Sequence, residues 1–201
     1  MSTVLIGITG GSGSGKTTFA RALAERFDAS DLLVISLDSY YQDRSHQSLE
    51  ERAQINYDHP AAFDQALLLE HLKQLRSGEP VDQPIYDYTT HCRNGTTRIE
   101  PAPAIILEGI LVLALDSIRP TLDLKVFVDT PADLRILRRL SRDVAERGRS
   151  VPSVVQQYHE TVRPMHERYI EPTRLFADLI VPGERDTSAA VSTLEAWVRG
   201  T

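Results

Sequence analysis

The stretch Gly10-Gly11-Ser12-Gly13-Ser14-Gly15-Lys16-Thr17 decides the fold of this chain. It matches the pattern G-x-x-x-x-G-K-[ST], in which glycines let successive backbone N–H groups turn inward around a phosphate. The run before it, residues 3 to 8, is rich in β-branched and aliphatic side chains, as in a buried strand. Residues 16 to 27 carry large apolar side chains at helical spacing. A strand, a glycine loop and a helix in this order predict a phosphate-binding P-loop.

The P-loop predicts a site for a nucleotide and Mg²⁺. Unpaired N–H groups at the start of the helix favour an anion there. Lys16 would place a compact cation against the β- and γ-phosphates, which is a catalytic role, and Thr17 would offer its hydroxyl to Mg²⁺. The residues of this segment predicted to bind the nucleotide are Gly10, Gly11, Ser12, Gly13, Ser14, Gly15, Lys16, Thr17 and Thr18.

Composition restricts the classes of protein to consider. The 201 residues can build one domain with a full core, and 41% of them are hydrophobic. The net charge of −6 argues against a nucleic-acid or membrane-surface partner. The chain has no apolar run near the ~20 residues that span a bilayer, and it opens into a predicted strand, so we expect no membrane span and no signal peptide. The single cysteine, Cys92, fits a reducing, cytoplasmic compartment, and with only His91 beside it gives little support for a metal site.

Apolar runs and helical patterns alternate along the rest of the chain, which predicts an α/β protein. We expect a P-loop NTPase fold, with a mostly parallel β-sheet and helices on both faces. Asn94-Gly95 lies between two extended runs and predicts the turn of a β-hairpin inserted at about residues 81–100, at the substrate site. A helical lid is expected at about residues 135–158 of a single domain spanning residues 1–201. Further strands are predicted at residues 31–38, 104–109, 124–129 and 177–182, and helices at residues 49–52, 64–76, 131–147, 152–168 and 188–199.

Two acidic residues lie at the ends of predicted strands. Because ligands of a parallel sheet bind at the carboxyl ends of its strands, both should face the P-loop. Glu108 is predicted to help hold Mg²⁺, and the alternative is a carboxylate that caps a turn. Asp38 is predicted to receive the proton of an acceptor hydroxyl, and the alternative is a loop aspartate that forms a turn.

The predicted helix over residues 131–147 separates basic from apolar side chains. Guanidinium groups suit phosphate oxygens, so the basic stripe predicts a lid over nucleotide phosphates. The stripe consists of Arg135, Arg138, Arg139 and Arg142 and continues through Arg147 and Arg149. The apolar side chains expected to face the core are Leu137, Leu140 and Val144. The alternative is a solvated helix face whose arginines pair with nearby acidic residues, namely Asp133, Asp143 and Glu146.

Most of the tyrosines lie in polar segments outside the predicted core. Such side chains can stack on a planar ring and form hydrogen bonds to it. Packing into the core is an equally good interpretation of the same pattern. The residues concerned are Tyr40, Tyr41, Tyr57, Tyr86, Tyr88 and the imidazole of His91.

Several stretches beyond the P-loop match one known family in order, from residue 4 to about residue 182. The most specific are Asn56-Tyr57-Asp58-His59-Pro60, Pro84-Ile85-Tyr86-Asp87-Tyr88-Thr89-Thr90-His91-Cys92-Arg93, and Arg142-Asp143-Val144-Ala145-Glu146-Arg147-Gly148-Arg149. The others are Leu37-Asp38-Ser39-Tyr40-Tyr41, Leu107-Glu108-Gly109-Ile110-Leu111 and Phe127-Val128-Asp129-Thr130. With these motifs the chain resembles the uridine kinase (uridine-cytidine kinase) family of P-loop nucleoside kinases.

The resemblance implies phosphorylation of the 5′-hydroxyl of uridine and cytidine, with ATP or GTP as donor and Mg²⁺ as cofactor. It implies that Asp38 is the catalytic base and that Thr17, Asp38 and Glu108 surround the metal. Family members are commonly tetramers inhibited by UTP and CTP. The resemblance therefore also implies a homotetramer with feedback inhibition.

The same resemblance implies contacts to the nucleoside. Asp58 and Arg139 would hold ribose hydroxyls, whereas Tyr41 and His91 would read the pyrimidine edge. Catalytic lid groups would be Arg142 and Arg147, with Arg149 also directed toward the phosphates. The full set of implied substrate contacts is Asp38, Tyr41, Tyr57, Asp58, Tyr86, Tyr88, His91, Arg139, Arg149 and Gln157.

One segment departs from the family pattern. After Val181-Pro182 the family usually continues Arg-Gly-Gly, whereas this chain has Gly183-Glu184-Arg185.

Two alternatives in function also stay open from the sequence. One is a related P-loop kinase with another small acceptor, such as a sugar phosphate (phosphoribulokinase-like) or pantothenate. The other is a non-catalytic nucleotide-binding regulator.

Overall fold

The computed structural model describes residues 3–200, and its centre is a parallel β-sheet. Five strands in this part of the chain pair in the order β2-β5-β1-β6-β7, and every pair is parallel. The predicted α/β class and P-loop fold are confirmed. The strands of the sheet are β1 (Val4–Thr9), β2 (Leu32–Ser36), β5 (Ala104–Glu108), β6 (Leu124–Asp129) and β7 (Leu179–Pro182), and β3 (Val81–Asp87) and β4 (Cys92–Ile99) form a separate antiparallel hairpin.

Helices cover both faces of the sheet, as expected. Successive residues of β1 point to opposite sides: Leu5 joins one hydrophobic core and Ile6 the other. The helices are α1 (Lys16–Ala24), α2 (Leu49–Ala53), α3 (Gln65–Arg76), α4 (Ala132–Arg147), α5 (Val151–Gln157), α6 (Arg163–Met165) and α7 (Ser188–Gly200). Within residues 3–200, none of these helices combines the length and the apolar character needed to cross a bilayer.

The helix predicted at residues 152–168 is a longer helical segment with irregular winding. Wide π-type turns occupy Tyr158–Val162 and His166–Ile170, on either side of α6, and a 3₁₀ segment follows at Glu171–Phe176. Pro164 lies in α6 and has no N–H to donate to the preceding turn. Local π and 3₁₀ turns are a common way to accommodate such a break.

The turn of the hairpin was predicted at Asn94-Gly95, and the structure places it elsewhere. The chain reverses at residues 88–91, where the Asp87 carboxylate accepts hydrogen bonds from the Thr89 N–H and the Thr90 hydroxyl. Asn94 and Gly95 lie inside β4, opposite a register shift between Pro84 and Tyr86. Gly95 has a φ of +85°. The Asn-Gly signal therefore marks a β-bulge, because the positive φ that suits a tight turn also suits a bulge.

The register of the sheet brings three chain segments to one edge. Ile8 of β1 and Ser36 of β2 both align with Glu108 of β5. The P-loop leaves β1 at this edge, and Asp38 follows β2 there within a short 3₁₀ turn, Leu37–Tyr40. The carboxyl edge thus collects the residues that the sequence singled out, as expected for a parallel sheet.

Candidate active site

A cavity of about 740 Å³ opens at the carboxyl edge of the sheet, between the P-loop, the hairpin and the lid segment, residues 135–158. Three of the predicted P-loop residues lie behind its wall and not in its lining, namely Gly10, Gly11 and Ser14. The other predicted residues line it together: Ser12, Gly13, Gly15, Lys16, Thr17, Thr18, Asp38, Tyr41, Tyr57, Asp58, Tyr86, Tyr88, His91, Glu108, Arg139, Arg142, Arg147, Arg149 and Gln157.

Lys16 is the cation of the P-loop and lies at the start of α1. Burial lowers the pKa of its ammonium group, and the nearby negative charges of Glu108 and Asp38 oppose that shift. The lysine therefore lies between the backbone donors of the loop and two carboxylates. This arrangement can neutralise phosphate oxygens that enter the loop.

A hydroxyl and two carboxylates meet beside Lys16. Thr17 Oγ1 donates a hydrogen bond to Glu108 Oε2 at 3.2 Å, and Glu108 is 6% exposed. Burial raises the pKa of Glu108, while the charge of Lys16 opposes the rise. Across residues 3–200 no group of three or more His, Cys, Asp or Glu side chains could hold a metal alone. Oxygen donors of this kind still fit Mg²⁺, which typically binds one or two carboxylates and keeps phosphate and water ligands.

Asp38 faces the hairpin across the cavity. The Tyr88 hydroxyl donates a hydrogen bond to Asp38 Oδ2 at 2.8 Å. The guanidinium of Arg147 lies over the Tyr88 ring, 4.7 Å from its centroid. The sequence predicted that each of these residues belongs to the site, but it contained no signal for the contacts between them.

Helix α4 turns its basic face inward, which corrects the predicted orientation. Arg135 is 9% exposed and Arg139 5%, whereas Leu137 is 60% exposed and Val144 40%. The expectation that Leu137, Leu140 and Val144 face the core was therefore wrong, with Leu140 only half-buried. The physical reason is that acceptors for the guanidinium groups lie beneath the helix, and a paired guanidinium can be buried.

Asp143 is the centre of the lid segment and has no exposed surface. Burial alone would raise the pKa of its carboxyl, but Arg139, Arg142 and Arg147 outweigh burial and hold the pKa below its ordinary value. From the sequence, Asp143 was predicted only as a partner of arginines on a solvated helix face, although its spacing of four from Arg139 and Arg147 was a signal. Its ionic contacts among the described residues are Arg142 Nη2 at 2.8 Å, Arg149 Nη1 at 3.2 Å, Arg147 Nη1 at 3.5 Å and Arg139 Nε at 3.6 Å.

The lid segment also contacts the P-loop directly. Arg139 Nη1 donates to Ser12 Oγ at 2.8 Å, and Arg142 Nη2 lies 3.5 Å from the same oxygen. Gln157 Oε1 accepts from both Arg139 and Arg149, each at 2.8 Å. These bonds connect α4, α5 and the loop that would hold phosphate.

Two arginines of the predicted stripe support the P-loop from outside the cluster around Asp143. Arg135 Nε donates to the Thr130 carbonyl at 3.0 Å, and its guanidinium lies against the backbone of Gly11. Arg138 donates to the carbonyl of Gly183 at 3.0 Å. The departure at residues 183–185 therefore contributes to the wall of the site, and Arg185 lines the cavity as well.

Aromatic rings form the far wall of the cavity. Tyr57 and His91 stack with their centroids 4.9 Å apart, and Tyr41 meets the edge of Tyr57 at 5.2 Å. Tyr86 Oη lies 3.3 Å from His91 Nδ1. Burial lowers the pKa of His91, and the charges of Arg149 and Arg52 lower it further, so the imidazole is neutral at pH 7. Tyr40, by contrast, is fully buried, and its hydroxyl bonds to His71 outside the cavity wall.

Asp58 lies between this aromatic wall and the lid segment. It is 8% exposed, and burial raises its pKa while the charge of Arg139 opposes the rise. The hydroxyl of Thr161 donates to Asp58 Oδ2 at 3.3 Å. Thr161 was not predicted from the sequence, because a single hydroxyl on an irregular helical segment belongs to no motif.

A P-loop, a strand-end carboxylate pair and an arginine lid around one cavity define a phosphotransferase of the P-loop kinase class. Residues 5–190 match the Phosphoribulokinase / Uridine kinase family, and the chain belongs to that family.

Full-length relatives carry a more specific name. A uridine kinase of Anoxybacillus flavithermus is 54% identical over 180 residues, which are 89% of this chain and 85% of that protein. A uridine kinase of Geobacillus kaustophilus is 50% identical over 98% of this chain and 93% of its own length. A uridine kinase of Clostridium tetani is 52% identical over 95% and 92%.

Solved structures share the fold. A protein described as a possible uridine kinase from Bacillus stearothermophilus aligns with a TM-score of 0.61 and 20% identity, over 90% of this chain and 89% of that one. Phosphoribulokinase from Rhodobacter spheroides aligns with a TM-score of 0.56 and 16% identity, over 84% and 68%. At these identities the likeness concerns the fold alone.

Proposed function

We propose that this chain is a uridine kinase that transfers the γ-phosphoryl group of ATP or GTP to the 5′-hydroxyl of uridine and cytidine. The products are UMP and CMP, and the reaction belongs to pyrimidine salvage. The observation that carries the proposal is the shared cavity, in which Asp38 lies between the P-loop and an aromatic wall containing a neutral imidazole. The name carried by relatives at about 50% identity supports the same substrate.

In this proposal the protein aligns the reactants and neutralises charge, since phosphoryl transfer needs little covalent help. Lys16, Arg142 and Arg147 hold the phosphate oxygens, and Arg149 supports them from the end of the lid segment. Thr17, Asp38 and Glu108 would hold Mg²⁺, which supplies positive charge to the phosphates when it is bound. The remaining loop groups that would contact the nucleotide are Ser12, Gly13, Gly15 and Thr18, while Gly10, Gly11 and Ser14 lie behind the cavity wall.

Asp38 orients the 5′-hydroxyl and takes its proton. Asp58 would accept a hydrogen bond from one ribose hydroxyl, and Arg139 would donate one to the ribose. Asp143, 3.6 Å from Arg139 Nε, helps to hold that guanidinium in place. Tyr41 and His91 read the edge of the base, because a neutral imidazole can both donate and accept. The rings that line the base pocket are Tyr57, Tyr86 and Tyr88, with Gln157 close to the ribose.

The alternatives from the sequence are not favoured. A sugar-phosphate or pantothenate kinase gains no support from an aromatic wall with a stacked His91. A non-catalytic regulator has no use for a carboxylate placed as an acceptor-site base. The named relatives are kinases, which also opposes a regulator.

Self-association and feedback inhibition complete the proposal. Exposed apolar side chains occur along the outer face of α4 and α5, namely Leu137, Val144, Val151 and Val155. A homotetramer, proposed from the family resemblance, would cover such side chains.

We further propose that UTP and CTP inhibit the enzyme. We also propose that it works in the cytoplasm, where ATP is available, without nucleic-acid or membrane partners.

The test is ADP release from MgATP by the purified chain, with uridine, cytidine, adenosine, ribulose 5-phosphate, pantothenate or no acceptor. We expect release that depends on uridine and cytidine. Release only with ribulose 5-phosphate or pantothenate would replace the proposed acceptor and keep the P-loop chemistry. Nucleotide binding without any acceptor-dependent release would contradict the kinase itself.

A further inference from the structure

Tyr88 connects three parts of the site through its hydroxyl and its ring. The hydroxyl donates to Asp38 Oδ2 at 2.8 Å. The ring packs edge-on against Tyr86, with centroids 5.4 Å apart, and beneath the guanidinium of Arg147. Although 41% of the residue is exposed, its hydroxyl end points into the cavity. The side chain thus joins the hairpin, the carboxylate after β2 and the lid segment.

The phenol is a proton donor under working conditions. A tyrosine hydroxyl ordinarily has a pKa of about 10, so the Tyr88 phenol keeps its proton at neutral pH and donates a hydrogen bond to Asp38 Oδ2. Hydrogen bonds to a charged acceptor are stronger than those between neutral groups.

The acceptor hydroxyl of a substrate needs the same carboxylate that the Tyr88 phenol contacts. To lose its proton to Asp38, a substrate hydroxyl must first donate a hydrogen bond to that carboxylate. The phenol of Tyr88 makes such a bond with Oδ2 in the structure described here. A nucleoside that binds against the aromatic wall must therefore share or displace the Tyr88 bond.

Water is the competing acceptor in any kinase with an open cavity. In the side reaction, the oxygen of water bonds to the γ-phosphorus while the bond from that phosphorus to the β,γ-bridging oxygen breaks. ADP leaves with the electron pair, inorganic phosphate forms, and a proton of the water passes to Asp38. A carboxylate already bonded to a phenol is less available to a water molecule, which lacks the binding energy of a nucleoside.

We propose that Tyr88 is a specificity-determining residue that holds Asp38 until a nucleoside replaces its hydroxyl, and so limits the hydrolysis of ATP by water. The proposal rests on the proposed role of Asp38 as base. The hairpin suits this exchange, because β3 and β4 pair with each other and not with the strands of the central sheet. Arg147 and Tyr86 hold the ring, and rotation about the C–O bond can turn the O–H away from Asp38 while the ring stays against the lid.

The test uses Tyr88→Phe, which keeps the ring beneath Arg147 and removes only the hydroxyl. Without acceptor, we expect this variant to release ADP from MgATP roughly tenfold faster than wild type, the scale of one hydrogen bond to a charged group. With saturating uridine, we expect the ratio of uridine-dependent to acceptor-free ADP release to fall roughly tenfold, because the phenol restrains Asp38 only while no nucleoside is bound. The matched control is Tyr169→Phe, which loses a hydroxyl bonded to His59 Nε2 at 2.9 Å and not to Asp38.

Two further measurements separate the proposal from a structural role of Tyr88. The double variant Tyr88→Phe, Asp38→Asn should not show the faster acceptor-free ATP hydrolysis of Tyr88→Phe, because the phenol acts through Asp38. Thermal unfolding of all variants checks that each is folded at the assay temperature. The proposal is overturned if folded Tyr88→Phe releases ADP without acceptor no faster than wild type does. It is also overturned if the double variant releases ADP without acceptor as fast as Tyr88→Phe does. If wild type shows no uridine-dependent ADP release, the proposed function is overturned instead. The two failures can be told apart because hydrolysis without acceptor is measured in a separate assay.

Discussion

Asp143 and Arg142 are neighbours in sequence, and their side chains meet at 2.8 Å between Oδ1 and Nη2 while Asp143 has no exposed surface. A carboxylate buried in this way offsets the charge of several guanidinium groups and fixes their positions. The lid arginines therefore depend on one acidic residue for their arrangement at the cavity.

The first prediction concerns Asp143→Asn. We expect kcat/KM for uridine to fall roughly 100-fold, since misplacing groups by about 1 Å costs that much. The free energy of unfolding should fall by roughly 3 kcal/mol, because guanidinium charges lose their buried partner. Steady-state kinetics and urea unfolding measure the two effects. Asp133→Asn, exposed on the same helix, is the control, and equal behaviour of the two variants would contradict the prediction.

The second prediction concerns Asp38→Asn. Nucleotide binding should be nearly unchanged, because Lys16, the loop backbone and the two other proposed Mg²⁺ ligands, Thr17 and Glu108, remain. Uridine-dependent turnover should fall at least ~100-fold, within the range for loss of a positioned base. Calorimetric titration with an ATP analogue and rapid-quench turnover measure these, with the exposed Asp28→Asn as control. Turnover like that of wild type would remove Asp38 from the role of base.

The third prediction concerns Gly183→Ala, in the segment that departs from the family pattern. A Cβ at residue 183 would lie 2.3 Å from the Ser14 carbonyl oxygen and 2.4 Å from Thr130 Oγ1. The P-loop must then shift, so we expect nucleotide affinity to fall about tenfold and stability by about 1–3 kcal/mol. Gly200→Ala is the control, since among the described residues no atom outside its chain neighbours and the nearby backbone of its own helix lies within 4 Å of the added Cβ. Unchanged affinity in Gly183→Ala would show that the loop tolerates the shift.

The fourth prediction concerns pH and His166, which lies behind the P-loop beside Arg135. Burial lowers the pKa of His166 from 6.5 to about 4, and the charge of Arg135 acts in the same direction. Between these values the unfolded chain binds a proton that the folded protein does not, so the free energy of unfolding falls as the pH falls from about 6.5 to about 4.

His166→Gln should remove part of that acid sensitivity. We expect its urea midpoint to change less than that of wild type between pH 7 and pH 5, because glutamine does not titrate. The surface variant His46→Gln is the control, since His46 is exposed. Parallel pH dependence in wild type and His166→Gln would argue against His166 as a source of the effect.

Local sequence patterns predicted the fold. The structure confirmed those predictions in which a pattern is compatible with a single local structure. A glycine loop between a strand and a helix has few other uses, and apolar runs separated by helices give a parallel sheet. The Asn94-Gly95 signal failed because two structures, a turn and a bulge, both accommodate a glycine with positive φ.

Sequence by itself determined which residues reach the carboxyl edge, because strand order along the chain and strand direction fix that edge. Lys16, Asp38 and Glu108 follow from it directly. Only the tertiary structure decided how α4 faces the cavity, since a helix with one basic and one apolar face can bury either. Burial of Arg139 required acceptors on Ser12, Gln157 and Asp143, and these come from three separate segments of the chain. The Tyr88 bond to Asp38 likewise joins groups fifty positions apart, which no local pattern records.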